Sequence, residues 1–164
     1  MSPFAVIAMW RHQRRHTQRA RRLAEDVAVP PLVSIVVTAF NEEPTIVESI
    51  RALLELDYEP REIVIVNDGS TDGTLRLLQR TFQLLPAPLA FAQPLSTEPV
   101  RGVYRSVSEP DLVVADKQNR GCKADAANAG INAASGTLIL NIDADTVIET
   151  DSLSRASCRS SRIR

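Results

Sequence analysis

The chain has 164 residues, of which 44% are hydrophobic and 24% are charged, and its formal net charge is −1. This length suits one domain with a real core and is too short for two, and the small net charge excludes a general attraction to nucleic acid. Its two cysteines, Cys122 and Cys158, cannot form a disulfide framework and lack the spacing of a metal cluster, which fits a reducing compartment.

Residues 1–30 form a separate N-terminal segment. Met1–Trp10 is mostly apolar, but it is far shorter than the roughly 20 residues of a spanning helix, and the charge follows it, unlike in a signal peptide. The next twelve residues include six arginines. Two interpretations stay open: a solvated basic helix, or the cytoplasmic end of a lost or truncated membrane helix. The second predicts a cytoplasmic protein at the inner (plasma) membrane.

From residue 31 onward, strand patterns alternate with helix patterns, which predicts an α/β fold with an open, mainly parallel sheet and flanking helices. Five of the ten prolines lie in Leu84–Pro110 and exclude a long helix there, although a short strand at Val103 and Tyr104 is expected. The other predicted elements are strands at Leu32–Phe40, Glu62–Val66, Leu112–Ala115 and Leu138–Asp145, and helices from Ile46 to about Leu56, around Leu75, Leu78 and Phe82, and at Ala124–Ala134.

The run Leu138–Asp145 is the most informative stretch, because an apolar sequence typical of a buried parallel strand leads into two aspartates. Asp143 and Asp145 are two residues apart, so on a strand their side chains point the same way. Asp68 follows the second strand, and Gly121 and Lys123 precede a helix, so all are expected at one sheet edge. Two acids there suit a hard divalent cation and a phosphate-bearing ligand. An acidic turn remains the alternative.

Four segments together resemble the nucleotide-sugar glycosyltransferases of the family 2 type, which have the Rossmann-like GT-A fold. Their order and spacing match over about Pro31–Glu149, and the resemblance is strongest to membrane-bound bacterial enzymes that build polysaccharides or modify lipids. It implies a donor-binding domain at residues 31–150 and an irregular basic tail at residues 151–164. The matching segments are Val36–Glu43, Ile65–Asp72, Gly121–Ile131 and Ile142–Asp145.

The resemblance implies a role for each matching residue in transfer from a nucleotide-diphosphate donor, expected to be a UDP-sugar, to a polysaccharide, lipid or other acceptor. Asp145 would bind Mg²⁺ or Mn²⁺ at the diphosphate, which offsets the charge of the leaving group. Structural alternatives are a turn former at Asp68, a solvated lysine at Lys123 and a helix-packing amide at Asn128. The implied nucleotide-sugar-binding residues are Thr38, Phe40, Glu42, Asp68, Lys123, Asn128 and Asp143.

The sequence also departs from the family pattern. Cys122 stands where a second glycine is usual, and Ala127 where a leucine is usual. The acceptor-side half, with the aspartate that acts as general base, normally follows well after the metal motif. We therefore expect the catalytic base beyond residue 164 and a truncated chain, ending in a tail without apolar periodicity.

Three other functions are alternatives to this interpretation. Ile142–Val147 resembles the first motif of haloacid-dehalogenase-type phosphatases, but that motif belongs on the first strand and needs a long chain after it. A nucleotidyltransferase would normally carry a glycine- and arginine-rich phosphate loop near the first strand, and Thr38–Glu43 has neither feature. A fragment that binds the nucleotide sugar without transferring it stays open.

Overall fold

A computed structural model of the chain describes residues 30–88, 94–144 and 146. By its internal contacts the chain divides at Pro30, and the second unit, from Pro31 onward, contains every element described below. The strands are β1 Val33–Ala39, β2 Arg61–Asp68, β3 Leu84–Ala87, β4 Val100–Ser106, β5 Leu112–Lys117 and β6 Leu138–Asp143, and the helices are α1 Ile46–Leu54, α2 Thr74–Thr81 and α3 Lys123–Ala133.

The six strands form one sheet in the order β3-β4-β5-β2-β1-β6. β5, β2, β1 and β6 are mutually parallel. At one side of the sheet, β4 runs antiparallel to β5, and β3 runs antiparallel to β4. The predicted α/β class with a mainly parallel sheet is therefore confirmed. Since parallel neighbours end together, Thr38 of β1 lies in register with Asp143 of β6, and Asn67 of β2 with Asp116 of β5. These pairs bring the polar strand ends to one edge.

Apolar side chains cover both faces of the sheet. On one face, alternate residues of β1 and β2 such as Ile35 and Ile65 pack with buried residues of α1 and α2. On the other face, Val36, Val64 and Val66 pack against the alanines of α3. Gly130 permits this close approach, because a Cβ atom there would lie 2.2 Å from Val36 Cγ1. The small residues of α3 therefore set how closely the helix lies on the sheet.

The structure differs from the predicted elements in three places. The short strand β3 was not predicted, because Pro86 and two exposed side chains hide its pairing with β4. β2 continues through Asn67 and Asp68, and β5 through Asp116 and Lys117, although the sequence predicts loops there because the apolar runs end at Val66 and Ala115. β6 pairs with β1 at one side of the described sheet and exposes Ile139, so the expected fully buried strand is wrong for these residues.

A polar cluster joins β1, β2 and the turn before β6 at the amino ends of the strands. The Glu62 carboxylate accepts hydrogen bonds from Ser34 Oγ at 2.5 Å, from Ser135 Oγ at 2.6 Å and from the main-chain N–H groups of Ser135 and Gly136. Burial opposes its ionisation, but these bonds outweigh that cost and lower the pKa of the Glu62 carboxyl below 4.5. We call these four residues the amino-end cluster.

Candidate functional site

A cavity of about 530 Å³ opens at the carboxyl ends of β1, β2 and β6, beside the start of α3. This is the edge at which ligands of open α/β sheets bind. It has both polar and apolar walls, as small-molecule sites usually do. The lining residues are Thr38, Ala39, Phe40, Glu42, Asp68, Asn119, Gly121, Cys122, Lys123, Ala126, Asp143 and Ala144.

The loops that follow β1 and β2 are bonded to each other beside this cavity. Asn41 has a positive φ of 57°, and its Oδ1 accepts a hydrogen bond from the Thr71 N–H at 2.8 Å, while its own N–H donates to Ser70 Oγ at 3.0 Å. Glu43 accepts from the Gly73 N–H at 2.8 Å and donates its N–H to Asp72. These six residues, which we call the loop lock, fix the two loops. Much of the polar sequence there therefore has a structural role.

The loop lock sets the position of Phe40, which lies between β1 and Asn41. Half of the Phe40 surface is exposed although the residue borders the cavity. An exposed aromatic ring on a cavity wall offers a flat apolar face to a ligand ring. Glu42, on the same loop, accepts a hydrogen bond from Thr45 Oγ1 at 2.8 Å and donates its N–H to Thr74 Oγ1.

A buried ion network lies under the cavity floor. The Lys117 side chain is fully buried, and its Nζ lies 2.7 Å from Asp68 Oδ1 and 2.6 Å from Asp125 Oδ2. Nζ also donates a hydrogen bond to the main-chain oxygen of Gln118 at 2.5 Å. Asn119 Nδ2 donates to the main-chain oxygen of Asp68 at 2.7 Å. Asp68, which borders the cavity, is therefore held through both its side chain and its main chain.

The contacts of the network favour the charged forms of Lys117 and Asp125. Burial alone would lower the pKa of Lys117, but the contacts with Asp125 and Asp68 outweigh it and raise that pKa above its ordinary value. For Asp125, burial alone would raise the pKa of the carboxyl. The contacts with Lys117, the Glu98 N–H and Thr97 outweigh this effect, so the pKa of Asp125 is lowered below its ordinary value. The pair is thus an ion pair at neutral pH.

The other side of the cavity carries an ion pair of a different kind. Lys123, the first residue of α3, contacts Asp143 Oδ1 at the end of β6, and both side chains are largely exposed. The free thiol of Cys122 lies beside them and is exposed to solvent. An accessible ammonium at a helix start favours an anion, and a bound diphosphate would compete with Asp143 for it.

Six of the eight predicted site residues line the cavity: Thr38, Phe40, Glu42, Asp68, Lys123 and Asp143. Asn128 does not line it, because its Nδ2 donates to the main-chain oxygen of Ser96 at 3.0 Å, as in the helix-packing alternative. The predicted metal ligand Asp145 lies outside the described residues. Among residues 30–88 and 94–144, no group of three or more His, Cys, Asp or Glu side chains is placed to hold a metal ion.

Two residues of the site were missed by sequence reasoning. Lys117 and Asn119 were assigned to a loop and given no role, whereas Lys117 ends β5 and Asn119 lines the cavity. A signal was present, because Lys117 comes at the end of a strand pattern, as Asp68 does, and the parallel strands β5 and β2 end at the same edge. A cation at that place has carboxylates within reach.

Helix α3 also holds the irregular segment Leu95–Glu98 along one polar stripe. Asn132 bonds both the N–H and the oxygen of Leu95, and Asn128 bonds the oxygen of Ser96. Asp125 accepts from the Glu98 N–H at 3.0 Å. Asp125, Asn128 and Asn132, which we call the polar stripe, therefore bind main-chain atoms of this segment. Asp125 also connects the polar stripe to Lys117.

None of the helices in the described part of the chain is long and apolar enough to cross a membrane. The N-terminal segment, on which the membrane interpretation rests, lies outside those residues.

Comparison with known proteins places these features in context. The model of glycosyl transferase family 2 matches residues 34–156, which is about three quarters of the chain. The chain is 29% identical over 119 residues to the poly-β-1,6-N-acetyl-D-glucosamine synthase of Staphylococcus aureus, covering 73% of this chain and 23% of the synthase. The chain thus spans about a quarter of the length of such curated relatives.

Solved structures share the fold. The mannosyltransferase PcManGT of Pyrobaculum calidifontis, in complex with GDP-Man and Mn²⁺, superposes with a TM-score of 0.59 and 27% identity over 86% of this chain and 37% of that protein. TarS of Staphylococcus aureus, in complex with UDP-GlcNAc, superposes with a TM-score of 0.58 and 22% identity over 79% of this chain and 31% of TarS. The sheet and its helices are therefore those of GT-A glycosyltransferases.

Proposed function

This chain belongs to glycosyl transferase family 2, and from that membership we propose that it supplies the donor-binding domain, residues 31–150, of a nucleotide-sugar glycosyltransferase. The observation that carries the proposal is that one cavity is lined by an exposed aromatic ring, a fixed carboxylate and an accessible ammonium. The ring and the fixed carboxylate suit the nucleoside, and the ammonium suits the diphosphate, of one donor molecule.

Each part of the donor has a matching wall. Phe40 and Asp68 suit the nucleoside, since a ring can stack on the first and a base N–H can donate to the second. Thr38 and Glu42 border the same end. At the other end, Lys123 suits the diphosphate, and Asp143 suits the hydroxyl groups of the ribose or sugar. The role of Asn128 near the sugar is not supported by its bond to Ser96.

We propose Mg²⁺ or Mn²⁺ as the cofactor, with Asp145 as its ligand. Carboxylate oxygens are the ligands that these hard cations prefer, and Asp143 already places one carboxylate at this edge. When bound, the cation would offset the negative charge that builds on the leaving diphosphate. The residues of the cavity would do the rest of the work, by holding the donor in one orientation toward the acceptor.

For the substrates, we propose a UDP-linked hexose or N-acetylhexosamine as donor and a polysaccharide, lipid or other glycan as acceptor. The similarity to a polysaccharide synthase and to a protein in complex with UDP-GlcNAc supports this choice. The similarity to a mannosyltransferase in complex with GDP-Man makes GDP the comparison nucleotide for any test.

Calorimetric titration of UDP into the chain, with and without Mn²⁺, tests the donor site. We expect Mn²⁺-dependent binding, and Asp145→Ala should weaken it by roughly tenfold or more because a metal ligand is lost. Asp111→Ala, the same change at an exposed acid outside the cavity, should leave it unchanged. Absence of Mn²⁺-dependent binding would contradict the donor site. Binding of the UDP-sugar without transfer or hydrolysis would favour the fragment that binds but does not transfer.

We also propose that residues 1–30 bring the domain to the cytoplasmic face of the membrane. The six arginines of residues 11–22 support this, because each basic residue near an anionic surface contributes about 1 kcal/mol. Cosedimentation with vesicles of phosphatidylserine and phosphatidylcholine should show binding that falls with salt. A variant with all six arginines changed to glutamine should lose it, and salt-independent or unchanged binding would contradict the electrostatic attachment.

A further inference from the structure

We propose that Lys117 is a positioning residue for recognition of the donor base. By holding one oxygen of Asp68, it presents the other oxygen to the base edge and favours bases that carry a ring N–H there, uracil or guanine, over cytosine and adenine. The inference rests on the proposed function, since it takes the cavity as the donor site, and it adds a residue that the sequence pattern did not single out.

The contacts of Lys117 exclude a direct role on the ligand. The Lys117 ammonium donates hydrogen bonds to Asp68 Oδ1 and to the main-chain oxygen of Gln118, and it forms an ion pair with Asp125 Oδ2, all within 2.7 Å. Its side chain is fully buried and does not line the cavity. Any effect of Lys117 on a bound nucleotide must therefore pass through one of these partners, and Asp68 is the partner that lines the cavity.

Asp68 is held as a recognition group should be. Its side chain is about nine-tenths buried, and within the described part of the chain its Oδ2 accepts no hydrogen bond. The next residue, Gly69, has a φ of +64°, and a Cβ atom there would lie only 2.8 Å from the main-chain nitrogen of Asn119, so a larger residue would not fit. Asn119 in turn binds the main-chain oxygen of Asp68. The free oxygen is thus preorganised, with little freedom to turn away from a ligand.

A carboxylate held against an ammonium discriminates between the bases at their ring nitrogens. It can only accept hydrogen bonds. Uracil N3 and guanine N1 carry a hydrogen and can donate to it, whereas cytosine N3 and adenine N1 carry a lone pair that would repel it. Without Lys117, the carboxylate would lose its fixed orientation, so the selection between bases should weaken before the binding of ribose and diphosphate does.

Calorimetry with UDP, GDP and CDP in the presence of Mn²⁺ tests the inference on the chain as it stands. We expect the unchanged protein to prefer UDP or GDP over CDP, and Lys117→Met to lower that preference by roughly tenfold while CDP affinity changes little. Asp125→Asn is the matched control, because it removes the other carboxylate of the same ammonium and leaves the Lys117–Asp68 contact. It should keep the preference.

A second variant separates loss of the base preference from unfolding of Lys117→Met. Lys117→Met combined with Asp125→Asn removes one positive and one negative charge, so only Asp68, which reaches the cavity, is left without a counterion. This double variant should also lose the preference. If either variant that lacks Lys117 keeps the preference for UDP or GDP over CDP, the inference is overturned and the donor site stays supported. The same holds if the unchanged protein binds all three nucleotides equally. If the unchanged protein binds none of them, the proposed function is overturned together with it.

Discussion

At the amino ends of the parallel strands, the buried Glu62 carboxylate is surrounded by neutral hydroxyl and N–H donors, whereas at the carboxyl ends Asp68 and Asp125 share the ammonium of Lys117. Both arrangements satisfy buried charge. The neutral donors come from β1 and the turn before β6, and they use up the oxygens of Glu62. The ammonium leaves one oxygen of Asp68 open to a cavity. The Glu62 cluster therefore has a structural role only, whereas the Lys117 network leaves a carboxylate oxygen available for binding.

We expect the largest effect when the ammonium of Lys117, which Asp68 and Asp125 share, is removed. Lys117→Met leaves two carboxylates without a buried counterion, and we expect it to lower the free energy of unfolding by about 3–5 kcal/mol. Urea denaturation at pH 7 measures this. Lys123→Met is the matched control, because its ion pair with Asp143 is exposed, and it should cost less than about 1 kcal/mol. Equal losses in the two variants would contradict the distinction between them.

The amino-end cluster provides the next test. Glu62→Gln replaces a carboxylate that accepts four hydrogen bonds by an amide with one accepting oxygen, and we expect a loss of about 2 kcal/mol in the free energy of unfolding at pH 7. Glu48→Gln, on the exposed side of α1, should have little effect. A loss no larger than that of Glu48→Gln would show that the neutral donors do not stabilise the anion.

The same variant has a defined pH dependence. The pKa of Glu62 is lower in the folded chain than its ordinary value of 4.5. Its contribution to stability is therefore fully present above pH 4.5 and is lost as the pH falls toward the folded pKa. The difference between the unchanged protein and Glu62→Gln should narrow over that range, and a difference that stays constant down to pH 3 would contradict the lowered pKa.

The smallest expected effect concerns the loop lock, which orders the loops at the carboxyl ends of β1 and β2 through hydrogen bonds from main-chain N–H groups. Asn41→Ala removes the Oδ1 acceptor and keeps a side chain at a φ of 57°, whereas Asn41→Gly removes the acceptor and relieves the strain. We expect the alanine variant to be less stable than the glycine variant by about 1 kcal/mol in urea denaturation. If the two variants are equally stable, the backbone conformation of Asn41 is not under strain.

The elements that were predicted well are those whose own sequence shows their environment. The β-branched run of β1 and the helical spacing of Ile46 and Ile50 depend on burial, which repeats locally along the chain. β3 could not be found this way, since its pairing with β4 is visible only in three dimensions. β6 was predicted as a strand but not as a half-exposed one, because an apolar run alone does not show how many neighbours a strand has.

The site shows the same division. Asp68, Lys123 and Asp143 could be predicted because each follows or precedes a recognisable element at one edge. Lys117 could not be assigned a partner, because its contacts join residues 49 and 8 positions away on two other elements. Local sequence shows that a charge is present, and only the packing of β2, β5 and α3 shows that the charge is buried.

The polar stripe of α3 has a consequence for how freely this region can change. Asn128 and Asn132 bond main-chain atoms of Leu95 and Ser96, which every amino acid except proline at the donor position supplies alike. The helix therefore holds Leu95 and Ser96 without regard to their side chains, whereas Thr97 Oγ1 donates a hydrogen bond to the main-chain oxygen of Asp125. Substitutions at Leu95 and Ser96 should be tolerated while the asparagines are kept. These two positions can therefore vary without disturbing the cavity.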